Sequence, residues 1–209
     1  MTTQTHPTSA FWDKMARKYS KQKIGDMASY EATLDRTRSY LKSDDKVLEI
    51  GAGTSSTALL LAPLVGHYTS SDYSAEMVEI GREKLAATPQ PNLEIVHGAP
   101  GDASVAGEYD VVMAFNLLHL LPDLDDGIRE AATLVRPGGL FISKTPCIGH
   151  AWYMKAMIAV MKRIYGIKHV LMFTAEELES RIKGAGFAIV EADSYTKGRA
   201  RYIVARKVG

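Results

Sequence analysis

Residues 47–61, VLEIGAGTSSTALLL, constrain the fold more than any other stretch of this chain. An apolar run carrying an acid, Glu49, opens through Gly51-Ala52-Gly53 into small residues with leucines behind them. A strand that turns through glycines directly into a helix is the unit of nucleotide-binding α/β sheets. Glycine lets the backbone turn sharply and approach a ligand with no Cβ in the way.

Two neighbouring motif classes are not met. A dinucleotide loop asks for G-x-G-x-x-G, and the third residue after Gly53 is Ser56. The phosphate-cradling G-x-x-x-x-G-K-[ST] pattern is absent, no Lys or Arg stands in the loop, and Glu49 is placed to repel a phosphate. The loop suits a ligand without one.

The rest of the chain alternates strands and helices. Helices are expected over 11–22, where Phe11, Met15 and Tyr19 share a face, and over 30–41. Strand 46–50 leads through the glycines to helix 55–62, stopped near Pro63. Strand 67–71 ends at Asp72. Ser74 caps helix 75–87, with Glu76 favourable in its first turn. Strands 93–97 and 109–115 follow, then helix 126–135, ended by Pro137-Gly138-Gly139, and strand 140–144. After helix 151–165, Thr174 and Glu177 form a capping box for a helix running to residue 183. Strands 187–191 and 201–206, joined by 194–199, can pair antiparallel. This order predicts a mostly parallel sheet with helices on both faces and an antiparallel last strand. The length of 209 residues fits one domain. Residues 1–8 read as a disordered tail, 9–42 as N-terminal cap helices and 148–172 as a helical lid insert.

Taken together, Glu49, Gly51 and Gly53, the acid Asp72, the PGG turn and the antiparallel end of the sheet resemble the class I S-adenosylmethionine-dependent methyltransferases. The likeness is to their small-molecule, ubiquinone-biosynthesis-like group, over about residues 11–207. The family's first motif is E/D-x-G-x-G-x-G, and Ser55 stands at its third glycine. The resemblance implies a Rossmann-like seven-stranded sheet, S-adenosyl-L-methionine as cofactor and S-adenosyl-L-homocysteine as product. It also implies roles. Glu49 would hold the cofactor's ammonium through water or a backbone group, beside the Gly51-Ala52-Gly53 loop. Asp72 would take the ribose hydroxyls, and Tyr73 and Met77 would pack on adenine. Asn116 and Leu117 would lie beside the methionine part. Helix 11–22 looks like the family's Ala-x-x-Tyr entry helix, here Ala16 to Tyr19, so Tyr19 would reach the cofactor carboxylate, with Trp12 nearby. Many members place G-D-A after the third strand. Direct register puts Gly98-Ala99 there, so Ala99 would meet adenine through its backbone, with Asp102 of Gly101-Asp102-Ala103 as the rival.

Plainer readings stand beside these. Asp72 can be a strand-end cap, Met77 core, Trp12 and Tyr19 packing, and a histidine among leucines a structural one. His119 is the leading candidate for a general base and His150 the second; a base is needed only where the acceptor must lose a proton. Lys144 and Thr145, ending their strand, are expected to face substrate, and Cys147 reads as packing.

A net charge of +1 gives no general pull toward nucleic acid. No N-P-P-[YFW] motif follows the fourth strand, so the expected acceptor is a small molecule. In the insert, Met154, Met157, Ile158, Met161 and Tyr165 form an apolar stripe suited to a lid over an apolar acceptor. Lys155, Lys162, Arg163 and Lys168 also give 151–168 the character of a membrane-surface helix. No metal is expected, the single cysteine allows no internal disulfide, and the N-terminus lacks the pattern of a secretory signal, so a cytoplasmic location is the default. The competing readings are a regulatory module that binds the cofactor without turnover, and a nicotinamide oxidoreductase. The latter would want a third loop glycine and a paired Tyr and Lys, neither of which is apparent.

Overall fold

The computed structural model describes residues 9–149, 170–194 and 200–209. The helix expected over 151–165, His150 and residues 1–8, expected as a tail, therefore lie outside the described residues. Seven strands form one sheet: β1 (Lys46–Ile50), β2 (His67–Asp72), β3 (Leu93–His97), β4 (Tyr109–Phe115), β5 (Val135–Pro146), β6 (Phe187–Asp193) and β7 (Ala200–Lys207). Their order is β3-β2-β1-β4-β5-β7-β6. The first five run parallel, and β7 lies antiparallel between β5 and β6. This is the Rossmann-like sheet expected from the sequence, with the chain reversing at β1, where β2 and β4 leave to opposite sides. Ligands of open α/β sheets bind at such a switch point, beyond the carboxyl ends of the strands.

The helices are α1 (Ser9–Tyr19), α2 (Met27–Arg38), α3 (Ser56–Leu61), α4 (Ala75–Ala87), α5 (Leu124–Leu134) and α6 (Ala175–Gly184). Alternation along the central strands divides the core in two. Leu48, Ile50, Val112, Ala114, Phe141 and Ile203 face Ile128 of α5 and Leu178 and Ile182 of α6. Val47, Tyr68, Val111, Met113, Ile142 and Val204 face Leu34 of α2, Leu61 of α3 and Val78 of α4. Helix α1 stands apart: Ala16, with Trp12, packs on Met77 and Ile80 of α4.

Boundaries differ from the sequence reading where a cap or bulge intervenes. Helix α2 begins three residues early because the Asp26 carboxylate accepts the Ser29 N–H at 2.9 Å. Asp123 does the same for α5 through Asp126 N–H. Pro137-Gly138-Gly139 lies within the start of β5 and does not act as a free turn. Val135 already pairs with Tyr109, and the register then shifts to Val111 with Leu140. Gly138 takes φ +74°, and a Cβ on Gly139 would sit 2.8 Å from the Asp110 carbonyl oxygen. The expected capping box of α6 is present, Thr174 and Glu177 each bonding the other's backbone N–H.

Candidate cofactor site

The loop after β1 holds three left-handed residues, Gly51, Gly53 and Ser55. Gly51 and Gly53 both lie in the left-handed region, at φ +62° and +57°. A Cβ on Gly51 would come within 2.6 Å of Leu117 Cδ1, so the side chain that follows β4 lies directly on this glycine. Beside Gly53 there is room. The nearest atoms to a Cβ built there are Met77 Sδ and Tyr19 Cε1, each 4.0 Å away. The loop is tied to β2 by Ala52 N–H on the Ser71 carbonyl, at 2.9 Å.

Asp72 ends β2 and is 8 % exposed. One carboxylate oxygen accepts the Gly53 N–H at 2.8 Å and the other the Ser74 N–H at 2.9 Å. Burial raises its pKa, against the pull of those two N–H groups. Each oxygen keeps a lone pair for a further donor.

Glu49 is 3 % exposed on β1, with the Tyr68 hydroxyl donating to it at 2.8 Å. Burial pushes the carboxyl up to about 7, the Tyr68 bond pulls it down, and nearby Asp72 raises it further. An acid in that state is stabilised in its ionised form by an arriving cation.

Helix α1 closes one side. Trp12 and Tyr19 meet edge to face at 6.4 Å. The helix is anchored by Asp13, whose carboxylate accepts the Ser74 hydroxyl at 2.6 Å and the Glu76 N–H at 3.2 Å, at the start of α4. Arg17 pairs with Glu76 and Glu83 farther along. Met77 serves in two ways: it is core under α1, and its sulfur faces the loop. The Tyr73 carbonyl accepts from His97 Nε2 at 3.0 Å.

Ala99 and its rival Asp102 share one turn. The Ala99 N–H donates to Asp102 Oδ2 at 2.8 Å, so that amide is already occupied and the acid stands where the direct register lacked one. After β4, Asn116 takes a left-handed backbone, φ 54°, and gives its N–H to the Lys144 carbonyl at 2.7 Å. His119 follows in a short 3₁₀ turn, and its carbonyl accepts the Leu171 N–H at 2.7 Å. Its Nδ1 is buried and has no partner among the described residues. Burial lowers its pKa to about 4.

Lys144 does not face the site. Its ammonium donates to the Ser29 carbonyl, the Ser29 hydroxyl and the Thr33 hydroxyl, holding α2 onto the sheet. Thr145 is fully buried. Cys147 packs against the core, and burial pushes its thiol up to about 11, which leaves it a poor nucleophile. Sequence reasoning passed over Asp13, Tyr68, Gly81 and Lys84. A glycine inside a helical pattern was the one available signal.

A model of the methyltransferase domain family matches residues 16–192. The chain belongs to that family. The methyltransferase is 25% identical over 214 residues to a demethylmenaquinone methyltransferase of Clavibacter sepedonicus, covering 91% of this chain and 86% of that one. It is 30% identical over 131 residues, 56% of its length, to the highly reducing polyketide synthase Preu5 of Preussia isomera. The match spans only 5% of that synthase. In fold it resembles a chain from the complex of the Haloferax volcanii Trm112 methyltransferase activator with a methyltransferase. There the TM-score is 0.78 at 17% identity, over 95% of this chain and 98% of that one.

The cofactor of the methyltransferase is S-adenosylmethionine, and the loop fits it. The space beside Gly53 is one a Cβ would begin to fill, and two buried acids, Glu49 and Asp72, belong to the strands that flank the loop. Among the described residues no helix is long and apolar enough to cross a membrane.

Proposed function

We propose that this methyltransferase methylates a small, largely apolar acceptor. The observation that carries this is the setting of His119, whose buried Nδ1 has no partner among the described residues and whose turn, beyond the carboxyl end of β4, is flanked in sequence by Leu118 and Leu120. The likeness to a demethylmenaquinone methyltransferase along most of both chains points the same way.

When bound, S-adenosylmethionine would supply an electrophilic methyl group: the acceptor's lone pair would bond to the methyl carbon as the carbon–sulfur bond breaks and S-adenosylhomocysteine leaves with the electron pair. Asp72 accepts the ribose hydroxyls on the lone pairs left by Gly53 and Ser74. Glu49, once ionised, balances the ammonium. Asp102 reads the adenine amino group, because its own turn already occupies the Ala99 N–H. Tyr73 and Met77 flank the adenine, Asn116 and Leu117 border the methionine part, and Trp12 and Tyr19 close over it and exclude water. Positive charge disperses as the methyl moves, so alignment in a dry pocket contributes more than any charged catalytic group. His119 stays neutral and accepts a hydrogen bond from the acceptor's O–H or N–H, orienting its lone pair. His150 is the second candidate for that task.

The test is formation of S-adenosylhomocysteine over a panel of hydroquinones, phenols, amines, β-ketoacyl thioesters, peptides and RNA. Turnover confined to apolar acceptors supports the proposal. Turnover only on peptide or RNA would overturn it, and cofactor binding with no turnover on any acceptor would favour a regulatory module.

A further inference from the structure

Ser55 occupies the position where the family's loop has its third glycine, yet its backbone keeps the left-handed shape, φ 56° and ψ 22°. An L-residue persists there only where its surroundings over-determine it. Those surroundings are specific. Ser55 is 1% exposed, and its hydroxyl lies 2.8 Å from the Ser70 hydroxyl on β2. From the other side it enters a gap in α4. A Cβ built on Gly81 would stand 2.6 Å from Ser55 Oγ and 3.2 Å from Ser55 Cβ. Glycine inside a helix is unfavourable relative to alanine, and the Ser55 side chain is the reason it is needed.

One turn on, Lys84 grips the residues on either side of Ser55. Its ammonium donates to the Thr54 carbonyl at 3.2 Å, the Thr54 hydroxyl at 2.7 Å and the Ser56 hydroxyl at 2.8 Å, using all three of its donors. Ser74, Met77, Gly81 and Lys84 recur at helical spacing, so one stripe of α4 is given over to the loop and its acid.

We infer that Gly81 and Lys84 are positioning residues for the cofactor loop: acting through Ser55 and its neighbours, they hold the turn in which Gly53 meets Asp72. The role asked of them needs no contact with the cofactor. The inference rests on the assignment of this loop to S-adenosylmethionine.

A double-mutant cycle tests it. S-adenosylhomocysteine titrations and thermal melts are run on wild type, Gly81→Ala, Ser55→Gly and the double variant. Gly81→Ala should weaken binding by about tenfold or more, since overpacking at a rigid contact is not relieved. The double variant should recover most of that loss, because glycine at 55 both vacates the space and takes φ > 0 freely. KM for S-adenosylmethionine should rise in Gly81→Ala with kcat at saturation kept, whereas a merely structural defect would lower the active fraction and leave KM alone. Lys84→Met should show the same split, and it carries the test if Gly81→Ala does not fold. Wild-type affinity in Gly81→Ala, or a double variant no better than Gly81→Ala, would overturn the inference, as would wild-type affinity in Lys84→Met for its part. A wild-type chain that binds no S-adenosylhomocysteine would overturn the cofactor assignment itself and this inference with it. Binding by the wild type with additive variants would overturn this inference alone.

Discussion

The Asp72 carboxylate accepts the Gly53 N–H at 2.8 Å, so the acid that ends β2 also fixes the loop that follows β1. Its other oxygen holds Ser74 at the start of α4. One buried group therefore sets the spacing of three elements, and a ribose bond to it, as proposed, would be made on a preorganised acceptor.

Asp72→Asn breaks that arrangement with little change in shape. The amide keeps one acceptor oxygen and turns an NH₂ toward a backbone N–H. Bonds to charged groups contribute about 1.5–3 kcal/mol each, so S-adenosylhomocysteine affinity should fall by about tenfold to hundredfold. The melting temperature should fall as well. Calorimetric titration checks the first and a thermal melt the second; unchanged affinity would remove Asp72 from the ribose site.

Glu49 should make the cofactor-free protein and its ligand complex respond to pH in opposite directions. Its folded pKa, about 7, lies above its ordinary 4.5 because burial disfavours the charge. A raised pKa contributes stability that is fully present below the unfolded value and is lost as pH rises through the folded one. Glu49→Gln should therefore melt higher than wild type at about pH 8, by an amount worth up to roughly 3 kcal/mol, and the gain should vanish toward about pH 4. If Glu49 balances the cofactor ammonium as proposed, binding asks for the ionised acid, so wild-type affinity should rise with pH across about 7 and Glu49→Gln should bind weakly throughout. Melts and titrations over that range measure both; affinity independent of pH would separate Glu49 from the ammonium.

Lys144→Met tests a residue whose sequence position suggested substrate contact. Its three bonds to Ser29 and Thr33 hold α2 on the sheet, and burial lowers its pKa. Losing them should cost about 1–2 kcal/mol in urea unfolding, with S-adenosylhomocysteine affinity unchanged. A shift in affinity or in acceptor KM would return Lys144 to the site.

Such differences show which parts of the site a sequence can carry. The glycines, Glu49 and Asp72 were legible because backbone shape and a strand-end acid are local demands, met within a few residues. The seven strands were legible because apolar runs broken by turn residues are local too. Asp13 and Lys84 were not, since each acts on residues about 60 and 30 positions away in sequence, and only the fold brings them together. Lys144 was misread for a related reason. Strand alternation places consecutive residues on opposite faces, so Ser143 and Thr145 point toward α5 and α6 while Lys144 points to α2. The Ala99 and Asp102 alternatives turned out to be two ends of one hydrogen bond, which spacing alone could not reveal.

His119 gives the sharpest prediction on chemistry. Its Nδ1 is buried without a partner among the described residues, and burial lowers its pKa to about 4 from the ordinary 6.5. Two consequences follow. The imidazole stays neutral throughout the neutral range, so its ring resonances should not titrate near 6.5 and the pH–rate profile should show no inflection there. A base that weak also draws little driving force for removing a phenol or enol proton, so its contribution should come from holding the acceptor by a hydrogen bond. His119→Ala should therefore lower kcat by about tenfold to hundredfold, no more than the low end expected for a general base. KM for S-adenosylmethionine should be unchanged, because the proposal gives the cofactor contact to Leu117 and only the acceptor contact to His119. Restoration of much of that rate by His119→Gln, which keeps an acceptor but cannot titrate, would mark the role as orientation; failure of Gln to restore it, with an inflection near 6.5, would mark proton transfer instead.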